Sequence, residues 1–481
     1  MEVDGSRLML KRNSMKVEQL YTGCLAQGAY YIESNGEAAV IDPLREVGTY
    51  ISLAAERGAE IKYVFETHFH ADFVSGHLTL AEQTGATIVF GPTANTNFDC
   101  LVAEDNQEFK VGNVTIKLLH TPGHTMESSS YLLLDENRKE IAVFSGDTLF
   151  LGDVGRPDLA QKSTMTQEDL AGILFDSLRN KIMTLADDVV VYPGHGAGSA
   201  CGKNMSKETI GSIGHEKATN YALRTDMTKE EFVQEVTEGI LPPPAYFPEN
   251  VRLNKQGYNP ENDNIAKANV SLSVEEFKAK STQEGVIVLD VRSAADFVKG
   301  FISNSIFIGI DGGFAPWVGT IIEQVETPIL LVCEKDRLEE VATRLSRVGF
   351  DNILGHLSGG IESWEQDDLT TISSISADAF NKIYQADNTI DIVDVRKEIE
   401  YKTSHIIAAK LAPLSALKNQ EGKFVKDKEN YVHCAGGYRS VIACSLLKRE
   451  GIHNVTNIEG GFGAIKNTAI NLSDEVCPSS L

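Results

Sequence analysis

The sequence has few of the features that mark secreted, membrane-spanning or nucleic-acid-binding proteins. Its seven cysteines are scattered without a C-x-x-C pair, which argues against a disulfide framework and favours reduced thiols in a cytoplasmic protein. No apolar run approaches the ~18 residues that a membrane-spanning helix needs. Lys and Arg number 44 against 68 Asp and Glu, and the net charge of −24 disfavours binding to nucleic acid or to an anionic membrane.

The first 14 residues also lack the apolar h-region and small-residue cleavage site of a signal peptide, and Met15 offers an alternative start. We therefore expect residues 1–14 to be an N-terminal extension without fold content. A chain of 481 residues is too long for one ordinary core, and this length predicts about three domains.

Up to residue 200, short apolar runs alternate with turn signals, and several runs end in a polar residue that can do chemistry. The runs are AAVIDP, YVFETHFHAD, ATIVFGP, VTIKLLHTPGH, IAVFSGDTLF and VVVYPGHG. Helical patterns at 46–57 and 167–184 lie between them, which predicts an α/β layered domain. Residues 205–240 read as helical, and the prolines of 241–254 predict a linker without regular structure.

Beyond residue 258 the sequence repeats itself loosely at a period of roughly 100 residues. The corresponding segments are VLDVRSAADFVKGFISNSIFI and IVDVRKEIEYKTSHIIAAKLA, ILLVCEKDRLEEVATRLSRVGF and YVHCAGGYRSVIACSLLKREGI, and ILGHLSGGIESW and VTNIEGGFGAIK. Each copy reads as strand, acidic turn, strand, Cys loop, helix, strand and Gly-Gly turn, which predicts two tandem parallel α/β domains. We place the three domains at 15–258, 259–369 and 370–481.

Metal-capable side chains collect at the ends of the predicted strands: His68, His70, Asp72, His124, Asp147 and His195. Strand ends converge at one edge of a layered α/β fold, where ligand sites form. Phe73 stands where a further imidazole would serve a second ion, so we expect one metal. If His68, His124 and Asp147 form one face, the set suits non-haem Fe(II). His70 could instead complete a three-histidine Zn site.

The order H-x-H-x-D, His, Asp in GD and His in PGH resembles the metallo-β-lactamase superfamily across most of residues 15–258, which implies an αββα sandwich. Within that superfamily, GDTLFLGDVGRPDL is similar to the persulfide dioxygenases, which keep G-R-x-D after the metal Asp. The resemblance implies one Fe(II) ion that binds both substrate and O₂. It also implies that the iron ligands are His68, His124 and Asp147. The residues that would hydrogen-bond to ligands and water are His70, Asp72 and His195, and Arg156 would guide an anionic persulfide.

The loop HCAGGYRS at 433–440 combines a strand-end cysteine with two glycines and an arginine before a helix. Glycines let consecutive N–H groups turn inward as an anion nest at a helix N-terminus, and that field favours the thiolate of Cys434. The loop resembles C-x-x-G-x-R of rhodanese-type sulfurtransferases, and DVR at 394–396, His405 and Gly460–Gly461 match the rest of that domain. The resemblance implies sulfur transfer through Cys434, with the anion held by Gly436, Gly437, Tyr438 and Arg439.

The middle copy has the loop CEKDRLEE, which keeps Cys333 but has Asp336 in place of the glycine and Leu338 in place of the arginine. Its acidic side chains would repel a sulfur oxyanion and raise the pKa of the thiol. We predict a rhodanese-like domain without activity, kept for packing or docking.

Cys201 lies six residues after His195 in the Gly-rich segment PGHGAGSACGKN. It is either a loop cysteine without a task or a thiol that carries or receives persulfide beside the metal. The whole chain resembles fused persulfide dioxygenase–sulfurtransferases, which pair the metal domain with a degenerate and an active rhodanese domain. Members of that group have a cysteine in this region.

The resemblances together imply an enzyme that oxidises a low-molecular-weight thiol persulfide with O₂ to sulfite. At Cys434, sulfite would go on to thiosulfate, which implies a part in sulfide detoxification. Relatives associate, so the resemblance also implies a dimer or tetramer. Two other functions stay open: a glyoxalase-II-like zinc thioester hydrolase fused to a sulfurtransferase, and a sulfur carrier or persulfide-sensing module whose metal domain is a scaffold.

Overall fold

The computed structural model describes residues 8–12, 15–160, 165–260, 263–419 and 421–476. Residues 1–7 and 13–14 of the expected extension, and Cys477, lie outside the described residues. The chain divides into two compact units, Met1–Asn262 with Ser346–Gly349 and Asp263–Leu345 with Phe350–Leu481. Except for Ser346–Gly349, both sequence repeats fall in the second unit, and the three domain borders stay predictions. Within the described part of the chain, every helix is too short or too polar to cross a bilayer.

Two sheets form the centre of the first unit. The first has seven strands in chain order: β1 (Leu8–Arg12), β2 (Met15–Thr22), β3 (Gln27–Ser34), β4 (Glu37–Ile41), β5 (Glu60–Phe65), β6 (Thr87–Phe90) and β7 (Leu101–Val102). The second has six strands, and consecutive strands are again neighbours: β8 (Glu108–Val111), β9 (Val114–His120), β10 (Ser129–Leu134), β11 (Glu140–Gly146), β12 (Val190–Pro193) and β13 (Gly211–Ser212). Ile41 and Phe65 of the first sheet share a core with Ile116 and Phe144 of the second, so the sheets pack face to face.

Helices cover both outer faces of this pair of sheets. They are α1 (Gly48–Arg57), α2 (His77–Thr84), α3 (Gln167–Ser177), α4 (Ile213–Thr219), α5 (Lys229–Thr237) and α6 (Phe247–Gln256). Along β3, Tyr30 faces the core between the sheets and Tyr31 faces the core shared with Leu53 of α1, as the two-residue period of a strand requires. On the other side, Leu174 of α3 packs with Val143 of β11. The predicted αββα sandwich is confirmed.

Most predicted elements of this unit correspond to observed ones. The six apolar runs contain β4, β5, β6, β9, β11 and β12, and the two helical patterns contain α1 and α3, the latter continuing into a π-helical turn at Leu178–Ile182. Two expectations were wrong in part. Residues 205–240 are not one helical region: they hold β13, α4, a 3-10 turn at Tyr221–Leu223 and α5, and Asn220 ends α4 by turning to an extended backbone. Leu8–Arg12 of the expected structureless extension pairs with β2 as an edge strand.

The predicted linker was wrong for its second half, because Phe247–Gln256 forms helix α6. Pro248 lies in the first turn, where a missing backbone N–H leaves no helical hydrogen bond unmade. Asn250 and Asn254 are buried, at 0% and 1% exposure. This segment therefore belongs to the packing of the first unit, with consequences for the metal loop described below.

The second unit contains the two repeats. The middle repeat has α7 (Asn264–Ala268), β14 (Ser271–Leu272), α8 (Val274–Ser281), β15 (Ile287–Asp290), α9 (Ala294–Phe297), β16 (Phe301–Ile302), β17 (Ile306–Phe307), α10 (Phe314–Ile321), β18 (Ile329–Val332), α11 (Leu338–Ser346), β19 (Ile353–Leu357) and β20 (Leu369–Thr370). The last repeat has β21 (Ser373–Ile375), α12 (Ala377–Ala386), β22 (Asp391–Asp394), α13 (Glu398–Thr403), β23 (Lys410–Leu411), β24 (Asn430–His433), α14 (Tyr438–Arg449), β25 (Val455–Ile458) and α15 (Gly461–Ile465).

The two repeats have the same sheet topology, which confirms the tandem parallel α/β domains. The strand orders are β14-β19-β18-β15-β17 and β21-β25-β24-β22-β23, and all neighbours in both sheets are parallel. The short strands β16 and β20 form a separate antiparallel pair. In each repeat a Cys loop joins the central strand, β18 or β24, to the following helix, α11 or α14. That is the place where helix N–H groups can face an anion.

Candidate metal centre and cysteine loops

Four strands carry metal-capable side chains to one edge of the sandwich. His68 follows β5, His124 follows β9, Asp147 follows β11 and His195 follows β12. Each strand is apolar and largely buried, so hydrophobic packing fixes the strand while its polar end is left at the rim. All four side chains are nonetheless withdrawn from solvent, at 2% exposure or less.

The side chains of His68, His124 and Asp147 converge, so that two imidazoles face one carboxylate. Nε2 of His68 and Nε2 of His124 lie 3.8 and 3.5 Å from the same oxygen, Oδ2 of Asp147. That oxygen is buried and has no hydrogen-bond partner among the described residues. A buried, unpaired carboxylate oxygen facing two imidazole nitrogens is costly unless a cation joins them. This donor set fits a metal ion held on one face by His68, His124 and Asp147.

The hydrogen bonds behind the two imidazoles prepare the Nε2 lone pairs for a metal. The Thr67 hydroxyl donates to Oδ2 of Asp42 at 2.8 Å, so its oxygen is left to accept from Nδ1–H of His68 at 3.0 Å. Nδ1 of His124 lies 2.8 Å from the backbone oxygen of Arg156, a contact that requires the proton on Nδ1. Both rings are thus held as the tautomer whose Nε2 can bind a cation.

The His195 ring lies between two carboxylates, those of Asp147 and Asp72, and not beside His68 and His124. Its Nδ1 lies 2.8 Å from Oδ1 of Asp147, and its Nε2 lies 2.7 Å from Oδ2 of Asp72. Burial opposes a charge on His195, but Asp147 and Asp72 outweigh burial and raise its pKa to about 10. The same imidazolium holds the pKa of the buried Asp147 carboxyl well below its usual range. His195 therefore orients Asp147 while leaving Oδ2 free for the metal.

His70 turns away from the group formed by His68, His124 and Asp147. Its Nε2 lies 3.1 Å from Oδ1 of Asp42 and 3.4 Å from Oε2 of Glu66, and its ring stacks near Phe73 at 4.3 Å. Burial opposes a charge on His70, but the two carboxylates outweigh it and raise its pKa well above the ordinary value. In this geometry His70 braces the loop as a cation between acids, and the three-histidine set left open by the sequence is not assembled.

Arg156 and Cys201 belong to one loop system beside the cluster. The Arg156 guanidinium donates to Asp158 at 2.6 and 2.7 Å and to the backbone oxygens of Ala200 and Leu241, and its N–H donates to the oxygen of Cys201 at 3.0 Å. These contacts bind Arg156 to the chain itself, so it holds the Cys201 segment in place. Cys201 is 1% exposed and groups with Asp72 and His195. Burial, then the Asp147 and Asp72 carboxylates, raises the pKa of its thiol well above the ordinary value.

Sequence reasoning missed two residues that support this site. Asn254 of α6 donates to the backbone oxygens of His70 and Phe73 at 2.8 Å each and accepts from the N–H of Ser75 at 2.9 Å. Buried Asp153 accepts from the N–H groups of Lys203 and Asn204, at 2.5 and 2.7 Å, and so closes the Cys201 loop. Asp153 could have been noticed because it belongs to the second Gly-Asp pair of GDTLFLGD. Asn254 gave no such indication, because it lies in the segment that was predicted to be a linker.

The Cys434 loop turns a backbone N–H towards the sulfur. The Cys434 side chain is buried, and its sulfur accepts from the N–H of Gly437 at 3.1 Å. Gly437 has a φ of +102°, which side chains other than glycine rarely adopt. The backbone at Ala435 and Gly436 is exposed, so the loop opens to solvent beside the sulfur. The sulfur thus lies beside the N-terminus of α14, within reach of a molecule that enters the loop from solvent.

Two other parts of the rhodanese-like pattern support this loop. Arg439 forms a two-pronged pair with Glu400 at 2.6 and 2.8 Å, so Glu400 is a further site residue that sequence reasoning missed. Glu400 could have been noticed because it lies four residues after Arg396, the arginine of DVR. At the Gly-Gly turn, a Cβ on Gly461 would lie 2.4 Å from the oxygen of Cys434, which explains why that position needs glycine. The His405 ring stacks on the Tyr401 ring with 3.7 Å between centroids.

The middle loop places the same kind of residue in a different setting. The thiol of Cys333 donates to the backbone oxygen of Glu334, with 3.1 Å between sulfur and oxygen. Burial, then the Glu334 carboxylate, raises the pKa of Cys333 to about 12. Leu338, in the position that corresponds to Arg439, is 1% exposed and lies in the hydrophobic interior. At neutral pH this cysteine is a protonated thiol.

Family models match both parts of the chain. The model of the rhodanese-like domain matches residues 273–367 and 376–468, and the model of the metallo-beta-lactamase superfamily matches residues 22–98. A crystal structure of a metallo-beta-lactamase from Staphylococcus aureus subsp. aureus COL is 31% identical with a TM-score of 0.64, and the match covers 72% of this chain and 99% of that one.

The curated relatives include proteins named as hydrolases and proteins named as persulfide dioxygenases. A probable hydroxyacylglutathione hydrolase of Schizosaccharomyces pombe is 30% identical over 182 residues, which cover 37% of this chain and 66% of the relative. The mitochondrial persulfide dioxygenase ETHE1 of Homo sapiens is 28% identical over 226 residues, which cover 46% of this chain and 80% of the relative. The chain thus spans just under two thirds of the first relative's length and more of the second.

Proposed function

The chain belongs to the metallo-β-lactamase superfamily and carries two rhodanese-like domains, and on that premise we propose a persulfide dioxygenase coupled to a sulfurtransferase. The substrate would be a low-molecular-weight thiol persulfide, and the products sulfite and then thiosulfate. The rhodanese-like domains of the chain and its likeness to ETHE1 support sulfur chemistry in general. The coupling of two reactions is the part that belongs to the proposal.

One observation carries the choice of dioxygenase: the ligand set is two imidazoles and one carboxylate, with His70 directed elsewhere. A zinc site with three imidazoles around a bound hydroxide would need His70 as its third histidine. Its Nε2 is instead engaged with Asp42 and Glu66. A set of two histidines and one carboxylate suits non-haem Fe(II), whose open positions take both substrate and O₂.

The side chains around that set have defined tasks in this proposal. His68, His124 and Asp147 hold the metal, and Fe(II), when bound, would supply the open positions for O₂ chemistry at sulfur. His195 keeps Asp147 ionised and oriented, and Arg156 fixes the Cys201 loop. Cys201 is positioned beside Asp72 and His195, where a thiol can receive or shield the outer sulfur of the substrate. Overall, persulfide, O₂ and water give thiol, sulfite and a proton.

The second reaction uses Cys434. Its thiolate attacks the outer sulfur of a persulfide, a new S–S bond forms, and the small thiol leaves as a thiolate with the electron pair of the old bond. Sulfite then attacks the outer sulfur on Cys434, which gives thiosulfate and returns the Cys434 thiolate. Because the two reactions are tethered in one chain, sulfite is captured at a raised effective concentration.

The test measures metal content and O₂ uptake of the purified full-length protein. We expect near-stoichiometric iron and O₂ uptake that depends on added persulfide. Replacing Asp147 by Ala should remove the iron and the O₂ uptake but leave sulfur transfer at Cys434 intact. His215→Ala, which changes an exposed histidine of α4, is the matched control and should change neither.

The hydrolase names among the relatives keep a second function in view, a zinc thioester hydrolase fused to a sulfurtransferase. Stoichiometric zinc, hydrolysis of thioesters of small thiols and no persulfide-dependent O₂ uptake would establish that function and refute ours. Persulfide turnover that is unchanged in the Asp147→Ala protein would instead indicate a sulfur carrier whose metal domain is a scaffold.

A further inference from the structure

Tyr438 connects the active cysteine loop to the middle repeat. It directly follows Gly437, and its hydroxyl donates to the backbone oxygen of Gly309 at 2.7 Å. A Cβ on Gly312 would lie 2.2 Å from Cζ of the Tyr438 ring, so the ring occupies the space that a side chain there would need. The Phe307 ring stands edge-on to Tyr438 with 5.9 Å between centroids. We call Phe307, Gly309 and Gly312 the Tyr438 socket.

The rest of helix α14 holds the socket in register. The N–H of Phe307 donates to the hydroxyl of Ser445 at 3.1 Å, and Arg449 donates to the backbone oxygen of Asn304 at 3.0 Å. Residues 438, 445 and 449 lie on one face of α14. Three hydrogen bonds along this face therefore attach the helix that begins at the sulfur loop to the segment 304–309 of the middle repeat.

The socket is one residue away from the group that contacts the sulfur. The N–H of Gly437 donates to the sulfur of Cys434, and the chain passes from Gly437 straight into Tyr438 at the first position of α14. Gly437 has a left-handed backbone and few contacts of its own: a Cβ there would meet only the N of Gly460, at 3.5 Å. The backbone at Gly437 is thus held by the helix that follows it, through Tyr438 and through the Ser440 hydroxyl, which donates to the Gly437 oxygen at 3.1 Å.

We propose that Tyr438 is a positioning residue for sulfur transfer and that the middle domain, inactive itself, supplies the socket that sets the Cys434 loop. This inference rests on the proposed sulfurtransferase function of Cys434. When the Cys434 thiolate attacks the outer sulfur of thiosulfate, a new S–S bond forms and sulfite leaves with the electron pair of the old one. The loop N–H groups stabilise both the thiolate and the bound anion, so their placement controls the rate.

The chain offers a matched pair of neighbouring glycines for the test. Gly312→Ala puts a methyl group into the Tyr438 ring, whereas Gly313→Ala puts the same group 3.4 Å from Trp317, an ordinary contact. The full-length protein is supplied with thiosulfate and excess small thiol, and sulfite release is measured. We expect Gly312→Ala to lower the rate by about tenfold to a hundredfold, and to slow the alkylation of Cys434 by iodoacetamide at one fixed pH. Gly313→Ala should match the wild type in both measurements.

A second pair of variants assigns the effect to the ring. If Gly312→Ala acts through Tyr438, adding it to Tyr438→Ala should cause no further loss. A further loss in that background, or equal rates for Gly312→Ala and Gly313→Ala, overturns the proposal. Should Gly312→Ala fail to fold, Tyr438→Phe decides, because it removes only the hydroxyl that contacts Gly309: a lowered rate supports the socket and an unchanged rate overturns it.

The Cys434→Ser protein separates this inference from the function it rests on. Sulfite release that persists without Cys434 refutes transfer at that residue, whatever the glycine variants do. Loss of sulfite release in Cys434→Ser together with equal rates for the two glycine variants refutes the socket alone.

Discussion

The loops after β18 and β24 occupy the same place in two sheets of identical strand order, yet their cysteines have opposite hydrogen-bond roles. The sulfur of Cys434 accepts a hydrogen bond from the N–H of Gly437, which a thiolate does well. The sulfur of Cys333 donates to the oxygen of Glu334, which only a protonated thiol can do. The pKa of Cys333, raised to about 12 by burial and then by Glu334, agrees with that role.

The difference shows that the same fold can hold this loop in two quite different geometries. Gly437, with its left-handed backbone, turns an N–H towards the sulfur, whereas Asp336 lies in a 3-10 turn at Lys335–Arg337. In the Cys434 loop, Arg439 pairs with Glu400, whereas Leu338, at the corresponding position of the middle repeat, is buried. The middle repeat thus has a buried leucine where the last repeat has a charged pair, although the two sheets have the same strand order.

The largest expected effect comes from removing each sulfur in turn. Cys434→Ser should lower sulfur transfer by at least about a thousandfold, because the nucleophile itself is lost. With persulfide and O₂ supplied, its product should shift from thiosulfate to sulfite. Cys333→Ser is the matched control and should change neither rate nor product. A product ratio that does not move in Cys434→Ser, or that moves equally in both variants, would break the comparison between the loops.

A smaller effect should follow from adding one methyl group to the active loop. Gly437→Ala forces a side chain into a φ of +102°, which should lower the free energy of unfolding by about 1–3 kcal/mol. The N–H that contacts Cys434 should turn away as the strain relaxes, so sulfur transfer should slow as well. Gly436→Ala is the control for stability, since its backbone is not left-handed and the added Cβ meets no atom within 4 Å. Urea denaturation of the two variants measures the difference, and equal unfolding free energies would contradict it.

Sequence patterns predicted most of the fold because they report local physics. Strand periods and strand-end polar residues located β5, β9, β11 and β12 together with the side chains that follow them. The repeat of about 100 residues predicted two sheets of the same topology. The pattern failed at α6, because three prolines before Tyr246 suggested a linker, while Pro248 occupies the one part of a helix that tolerates proline.

Long-range hydrogen bonds were beyond prediction, since no local pattern encodes them. Arg156 was expected to guide substrate, but its guanidinium contacts Asp158 and the backbone near Cys201, and whether it also meets substrate stays a prediction. Asn254 donates to the backbone oxygen of His70, a residue that lies 184 positions earlier in the sequence. The position of Tyr438 also depended on a glycine 126 residues earlier, which only the packing of the two repeats reveals.

The smallest expected effect tests why the middle cysteine is inert. Burial is the larger cause of the raised pKa of Cys333 and the Glu334 carboxylate the next. Glu334→Ala should therefore lower the pKa below about 12 but leave it above that of an ordinary thiol. The pH dependence of alkylation at Cys333, followed by mass spectrometry of its peptide, measures the shift. Glu339→Ala removes an exposed acid of the first turn of α11 that is not among the main causes of the raised pKa of Cys333, and it should leave the profile unchanged. A Cys333 that became as reactive as Cys434 after Glu334→Ala would mean that charge, and not burial and loop geometry, separates the two repeats.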